Sequence, residues 1–330
     1  MKYFVTGATG FLGGRVARQL LAAGHRVNAL VRSPAKAGEL AALGAALFAG
    51  DITDPASLRE PMRGTDGVFH VAGWYKIGMR DNSQAQRINI DGTRNVLEAM
   101  RELGIAKGVY TSTVAIWSDT RGQKPDESYH YNGPHISEYD RTKAAAHEVA
   151  EGFIQHGLPL VIVQPGVIYG PGDNSNLHTA IVQYLTGKLP MIPSGTTFCW
   201  GYVDDVARGH ILAMEKGKAG ESYVIAGPCH TVSEFFEMAQ AITGVKAPRV
   251  RASPGMMRAT AALVSVIEKM APMPQEYSSE YLRVNGGTTY MGDNSKARRE
   301  LGYEPRPLRD GLELTLRAEQ KLLGKSSAYH

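Results

Sequence analysis

Cysteine is nearly missing from this 330-residue chain, and its first 38 residues hold no carboxylate at all. Cys199 and Cys229 have no metal-ligand spacing, so no metal site is expected. They are expected as two free thiols, packed as small apolar groups in a reducing, cytoplasmic compartment. No apolar run is long enough to cross a bilayer. The longest, Ala259 to Ile267, is stopped by Arg258 and Glu268. The N-terminus reads as a strand, which leaves no room for a signal peptide. The net charge of +4 is spread thinly, with no long Lys or Arg run, so neither a nucleic acid nor a membrane is expected as a partner. A charged fraction of 21% and an apolar fraction of 43% suit a soluble globular protein.

What is present is an alternation. Strands are predicted at Tyr3–Thr6, Val27–Val31, Leu47–Ala49, Val68–Val71, Gly108–Ser112 and Leu160–Gln164. Helical patterns fall between them, at Phe11–Ala23, Pro34–Leu43, Pro55–Met62, Ser83–Leu103 and Glu138–His156. Such alternation predicts an α/β fold, a doubly wound parallel sheet with helices on both faces. Connections are short except Val114–Ser137, a loop length associated with function. After Pro171 the pattern breaks into short apolar pieces, and Gly201–Met214 and Glu221–Ile225 read as a helix and strand returning to the sheet. The predicted division is residues 1–171 with 201–227 for nucleotide binding. Residues 172–200 and 228–330 would form a smaller interleaved C-terminal lobe for substrate.

Between the first strand and first helix lies Gly7-Ala-Thr-Gly10-Phe-Leu-Gly13. Glycines at this spacing permit a tight turn and close approach of backbone to a pyrophosphate at a helix N-terminus. Gly7, Thr9, Gly10, Phe11, Leu12 and Gly13 are thus candidate dinucleotide ligands. An NAD site usually has an acid about 20 residues past the glycines, for the ribose 2′-hydroxyl. Here Arg32 takes that place, Lys36 follows, and the first acid is Glu39. A guanidinium suits a 2′-phosphate, so NADP is expected ahead of NAD. Asp51 and Ile52 close the third strand, where the carboxylate can accept from an adenine amino group. Ala72 and Gly73 close the fourth, where small residues let the cofactor pass.

Tyr139 and Lys143, four apart on a predicted helix, share one face. A phenol needs its pKa lowered by about 3 units, roughly 4 kcal/mol, to exchange protons freely at neutral pH. The Lys143 ammonium is expected to supply part of that. Tyr184 and Lys188 repeat the spacing, but Gly187 and Pro190 place them at a helix end. Tyr110-Thr-Ser-Thr113, ending the fifth strand, supplies a hydroxyl for the substrate oxygen.

With Thr6-Gly-Ala-Thr-Gly-Phe-Leu-Gly13, Val109-Tyr-Thr-Ser-Thr113, Tyr139-Asp-Arg-Thr-Lys143, Gln164-Pro-Gly-Val-Ile-Tyr-Gly-Pro-Gly172 and Tyr202-Val-Asp-Asp-Val206, the chain resembles the extended short-chain dehydrogenase/reductase family over nearly its whole length. That family includes the NAD-dependent epimerase/dehydratases and the dihydroflavonol reductase-like enzymes. The resemblance implies a Rossmann sheet, a catalytic set of Tyr139, Lys143 and Thr113 with Ser112 as fallback, and Pro165, Gly166, Val167 and Ile168 beside the nicotinamide. It also implies Arg32 beside the 2′-phosphate, and a homodimer joined through Ser83–Leu103 and Glu138–His156. Two positions depart from the family pattern. Gln164 replaces a common Arg, and Phe198-Cys-Trp-Gly201 stands where sugar-nucleotide members carry an Arg for the diphosphate. Arg249, Arg251 and Arg283 are the candidate substitutes.

The expected activity is NADPH-dependent reduction of a ketone or aldehyde, with Trp74, Tyr75, His130, Tyr131 and Trp200 as candidates for the substrate pocket. The alternatives are a sugar-nucleotide epimerase or dehydratase using NAD, and a dinucleotide sensor without turnover.

Overall fold

Alternation along each strand builds two cores at once. Tyr3 and Val5 point to one face of the sheet and Phe4 to the other. The same holds for Val109 against Tyr110, and for Val161 and Val163 against Leu160 and Ile162. Burying each such side chain contributes roughly 2 kcal/mol. A one-residue slip would exchange the faces, so burial fixes the register.

The structure is a computed structural model that describes residues 1–271 and 273–324. It begins with β1 (Lys2–Thr6), α1 (Phe11–Ala22), β2 (Arg26–Val31), α2 (Gly38–Ala42), β3 (Ala46–Ala49), α3 (Arg59–Met62) and β4 (Gly67–His70). Then come α4 (Ser83–Gln86), α5 (Gly92–Glu102), β5 (Gly108–Thr111), α6 (Glu138–Gln155), β6 (Leu160–Pro165), β7 (Val167–Tyr169) and α7 (Asn176–Leu185). The last part holds β8 (Met191–Pro193), β9 (Thr197–Tyr202), α8 (Val203–Lys216), β10 (Ser222–Ile225), β11 (Cys229–Thr231), α9 (Val232–Thr243) and β12 (Val250–Ala252). It closes with α10 (Pro254–Ile267), α11 (Ser279–Val284), β13 (Thr289–Tyr290), α12 (Ser295–Leu301) and α13 (Leu308–Leu322).

Seven parallel strands form the central sheet in the order β10-β6-β5-β4-β1-β2-β3. This is the doubly wound Rossmann arrangement, with its order reversing between β1 and β4. On one face α1 presents Leu12, Val16, Ala17 and Leu20, and α8 presents Val203, Val206, Ala207 and Ile211. On the other, α5 contributes Val96, Leu97 and Met100, and α6 contributes Ala146 and Ala150. Ligands of such sheets bind where the order reverses, at the carboxyl ends of the strands.

Several predicted elements differ in detail. Pro34–Lys36 is a 3-10 turn that precedes α2, and Arg87–Asp91 is a π turn between α4 and α5. The helix expected from Gly201 begins at Val203, because Gly201 and Tyr202 complete β9. The predicted loop 114–137 opens with a 3-10 turn at Val114–Trp117. No described helix is long and apolar enough to cross a membrane.

A second sheet gathers around β9, with β7 and β13 parallel to it and β11 antiparallel. Its register sets Cys199 directly opposite Cys229, and the two form a disulfide. This corrects the expectation of two free thiols and removes the basis they gave for a reducing compartment. The pairing rests on a strand contact across 30 residues, which no local pattern announces. Thiol titration of the denatured, unreduced protein should find no reactive thiol, and two after reduction. Two thiols without reductant would return the cysteines to the free state.

Candidate active site

At the β1/β4 crevice, close approach of backbone to backbone requires glycine. Gly7 has φ +68°, and a Cβ there would lie 2.8 Å from the Ala72 nitrogen. A Cβ on Gly13 would run into the Gly7 carbonyl oxygen. With both positions bare, α1 starts against the end of β1. Its N-cap, Gly10, offers no side-chain cap, and its first turn has no acid. The helix thus turns uncapped N–H groups and the positive end of its dipole toward one cavity of about 620 Å³.

Gly7, Thr9, Gly10, Phe11, Leu12 and Gly13 all line that cavity. So do Arg32, Asp51, Ile52, Ala72, Gly73, and Pro165 through Ile168. Arg32 directly follows β2 and is exposed, while Glu39 is drawn off by Arg18 at 2.8 Å. Asp51 Oδ1 accepts from both the nitrogen and the hydroxyl of Thr53 at 2.9 Å. Lys36 is the exception among the expected cofactor residues. It is exposed in the 3-10 turn and does not reach the cavity wall.

Further along the same wall are Thr113, Ser112, Tyr139 and Lys143. Ser137 caps α6 by accepting from the Asp140 nitrogen at 3.0 Å, which starts the helix one residue before Tyr139. The Thr113 hydroxyl hydrogen-bonds the Tyr139 phenol and also lies 3.3 Å from the Pro165 carbonyl. Ser112 turns away, its Oγ 2.8 Å from His147 Nδ1 on α6. Of the two candidate hydroxyls, only Thr113 is in contact with Tyr139.

Burial governs the titration of this group. It pushes the Tyr139 phenol up to about 12, with the Thr113 hydrogen bond opposing the rise and the Asp140 carboxylate adding to it. It pulls the Lys143 ammonium down to about 7. Lys143 Nζ donates to the Thr111 carbonyl at 2.7 Å and to the Tyr110 hydroxyl at 3.3 Å, and lies 4.9 Å from the centre of the Tyr110 ring. Lys143 is not among the causes that shift the phenol here. In this arrangement its charge serves β5, and desolvation decides the direction for both groups.

Asn89, in the π turn, escaped the sequence reading. Its Oδ1 accepts from the Trp74 nitrogen at 2.7 Å and its Nδ2 donates to the Trp74 carbonyl and to Thr142 Oγ1, both at 3.0 Å. It ties the segment after β4 to α6.

The wall also carries the apolar and aromatic Trp74, Ile77, Val114, Phe198, Val284 and Tyr290, together with the polar Asp173, Asn174 and Ser175. Tyr75 also lines it and donates to Asn174 Oδ1 at 2.9 Å. Asp140 is buried behind Tyr139, accepting from Ser137, Ser118 and Tyr290, and burial raises it to about 6. Trp200 does not reach the cavity. It stacks on Phe235 at 4.4 Å and donates to the His230 carbonyl in the core of the C-terminal part. His130 and Tyr131 also stay outside, Tyr131 donating to the Pro134 carbonyl. Arg249, Arg251 and Arg283 are exposed and line no part of it, and Arg251 pairs with Glu237 at 3.0 Å. Among the described residues on this wall, the only cations are Arg32 and Lys143.

One carboxylate fastens the C-terminal part to this site. Glu280 on α11 accepts from the Gly78 nitrogen at 3.0 Å and from the Glu138 nitrogen, at the start of α6, at 2.6 Å.

The family model for the NAD dependent epimerase/dehydratase family matches residues 3–226. The chain belongs to that family. It is an NAD(P)-dependent enzyme of the short-chain dehydrogenase/reductase type. It is 34% identical over 322 residues to a Synechocystis sp. protein named "Putative dihydroflavonol 4-reductase", covering 94% of this chain and 92% of that one. It is 32% identical over 312 residues to 4-hydroxy-2-methyl-3-oxo-4-farnesyl-3,4-dihydroquinoline-1-oxide ketoreductase of Stigmatella aurantiaca, covering 93% and 92%. The crystal structure of gox2253 superposes with a TM-score of 0.84 at 32% identity, covering 98% of each chain.

The buried lysine of this family member gives a direct check. Lys143 followed by 13C NMR of its Cε should titrate near 7, neutral above and charged below, whereas exposed lysines titrate near 10.4. A Lys143 value near 10 would contradict the buried placement.

Proposed function

We propose that this enzyme is an NADPH-dependent reductase acting on a ketone or aldehyde carried by an apolar carbon skeleton. What supports this reading is the cavity wall away from the glycine loop, where aromatic and aliphatic side chains stand with Asp173, Asn174 and Ser175 and without a further cation for a second diphosphate. A nucleotide sugar brings two phosphates, and burying them unpaired is costly. An apolar ketone needs only one polar contact, at its oxygen. The names of the two reductase relatives, one of a farnesylated ketone, favour the same class.

The residues fit a dinucleotide. The bare glycines let its diphosphate approach the start of α1, where uncapped N–H groups and the helix dipole favour an anion. In this reading Arg32 holds the 2′-phosphate, Asp51 and Ile52 face the adenine, and Ala72 and Gly73 border the path between. Pro165 to Ile168 flank the nicotinamide and Lys143 holds its ribose. Residues 1–171 with 201–227 form the cofactor part, and 172–200 with 228–330 the substrate part. When bound, the reduced nicotinamide supplies a hydride to the carbonyl carbon.

The chain's own task is then the oxygen. Thr113 hydrogen-bonds it, and Tyr139 donates the phenol proton as charge develops there. A phenol pushed up to about 12 stays protonated throughout the neutral range, so it is held ready as an acid. Donors aimed at a developing oxyanion in a dry site are each worth about 10²–10³ in rate. Lys143, with a value near 7, offers its ammonium mainly at and below neutrality.

Tyr139→Phe should cut kcat for a carbonyl substrate by roughly a thousandfold or more while leaving the NADPH dissociation constant nearly unchanged. Wild-type turnover in steady-state assay would end this assignment. Arg32→Glu should lower the ratio of kcat/KM with NADPH to that with NADH by at least about tenfold, since a bidentate pair to phosphate becomes a repulsion. An unmoved ratio would remove Arg32 from the 2′-phosphate site.

A further inference from the structure

The helix α10 is apolar on both sides. One side, Met257, Ala261 and Val264, packs with Ala252 and Leu282 in a small core of its own. The other side lies open: Met256, Leu263, Val266 and Ile267, continued by Met270 in the following turn, with Leu263 64% and Met270 86% exposed. Positions 256, 263, 267 and 270 follow helical spacing, so these side chains form one stripe. A fourteen-residue helix is roughly 21 Å long, too short to cross a bilayer and long enough to lie along one.

Charge in this stretch of chain is mostly of one sign. From Gly244 to Ala271 the chain has five cations, Lys246, Arg249, Arg251, Arg258 and Lys269, all exposed, and a single carboxylate, Glu268. Glu268 is turned inward, accepting from the nitrogen and hydroxyl of Ser279. Arg251 is paired with Glu237. Arg258 donates to the Gly286 carbonyl at 3.4 Å, which leaves Lys246, Arg249 and Lys269 as the other exposed cations of this stretch.

We propose that this face of α10 docks on an anionic lipid surface, the helix lying in the interfacial plane. Apolar side chains on one face with Lys and Arg beside them are what such a surface binds. A second copy of the chain fits less well. A two-fold contact through this stripe would bring two copies of the same positive excess together. The hairpin of α10 and α11 also supplies Val284 to the cavity wall, and Gln275 between them donates to the Ile77 carbonyl at 2.6 Å. Docking on lipid departs from the sequence-based expectation of no membrane partner, which weighed the Ala259–Ile267 run only for spanning length. The proposal rests on α10 and is independent of the reaction assigned to the cavity.

The test is flotation of the full chain with vesicles of phosphatidylcholine containing phosphatidylglycerol, and with pure phosphatidylcholine. The protein is expected to float with the anionic vesicles and far less with the neutral ones. The double variant Leu263→Asp, Ile267→Asp should lower binding at least about tenfold with its melting temperature retained, since both side chains are exposed. Lys269→Gln should lower it about fivefold. Absence of flotation, or equal flotation of the double variant, overturns the proposal. So does light scattering in which the double variant forms a smaller oligomer than the wild type, which would assign the stripe to a second copy.

Discussion

Everything at the active site depends on how closely α1 is allowed to approach β1. Gly13 lies against the Gly7 carbonyl, and Gly7 against the backbone at Ala72, with no space for a Cβ at either position. That contact fixes where the helix begins, and therefore where its dipole and uncapped N–H groups point. It also joins β1 to the end of β4, since the Thr6 hydroxyl accepts from the nitrogens of Val71 and Ala72, each at 3.1 Å. Below it, the Thr6 hydroxyl meets His70, and His70 meets Thr93, all buried. The crevice is thus held by backbone proximity and a satisfied polar core.

The second organising condition is burial. Tyr139, Lys143 and Asp140 are three ionisable groups within five residues, and burial shifts each toward its neutral form. Their polar partners are all accounted for: Thr113 for the phenol, a β5 carbonyl and Tyr110 for the ammonium, two serines and Tyr290 for the carboxylate. A site so arranged has donors positioned before any substrate arrives, and water gives up little when one does.

The central sheet was legible because its signals are local. Two-residue alternation, a glycine loop and four-residue helical spacing all act over short stretches, and β1 to β6 sit within a residue or two of their predicted places. What was illegible came from contacts across the chain. Tyr290 and Val284 reach the cavity from far along the sequence, and nothing around either residue marks it as a wall. Trp200 was expected there for its ring, yet β7 runs beside it and α9 covers it, while Phe198, two residues earlier, reaches the cavity. His130 and Tyr131 followed the same logic of aromatic composition and failed for the same reason. The pairing of Cys199 with Cys229 needed knowledge that β9 and β11 are neighbours. Lys143 was correctly expected on the face of Tyr139, but the direction of its ammonium depends on which carbonyl of β5 lies nearest.

Glu280 gives these distant parts a common mechanical consequence. Its two oxygens bridge the loop at Gly78 and the first turn of α6, so three segments share one carboxylate. Burial also raises its affinity for a proton, with the two N–H donors opposing that rise. If α11 swings outward to admit a bulky ligand, it must leave two amide groups without their acceptor, one of them at the start of α6. The chain at Gly78, α11 and α6, the helix that carries Tyr139, are therefore tied through one carboxylate.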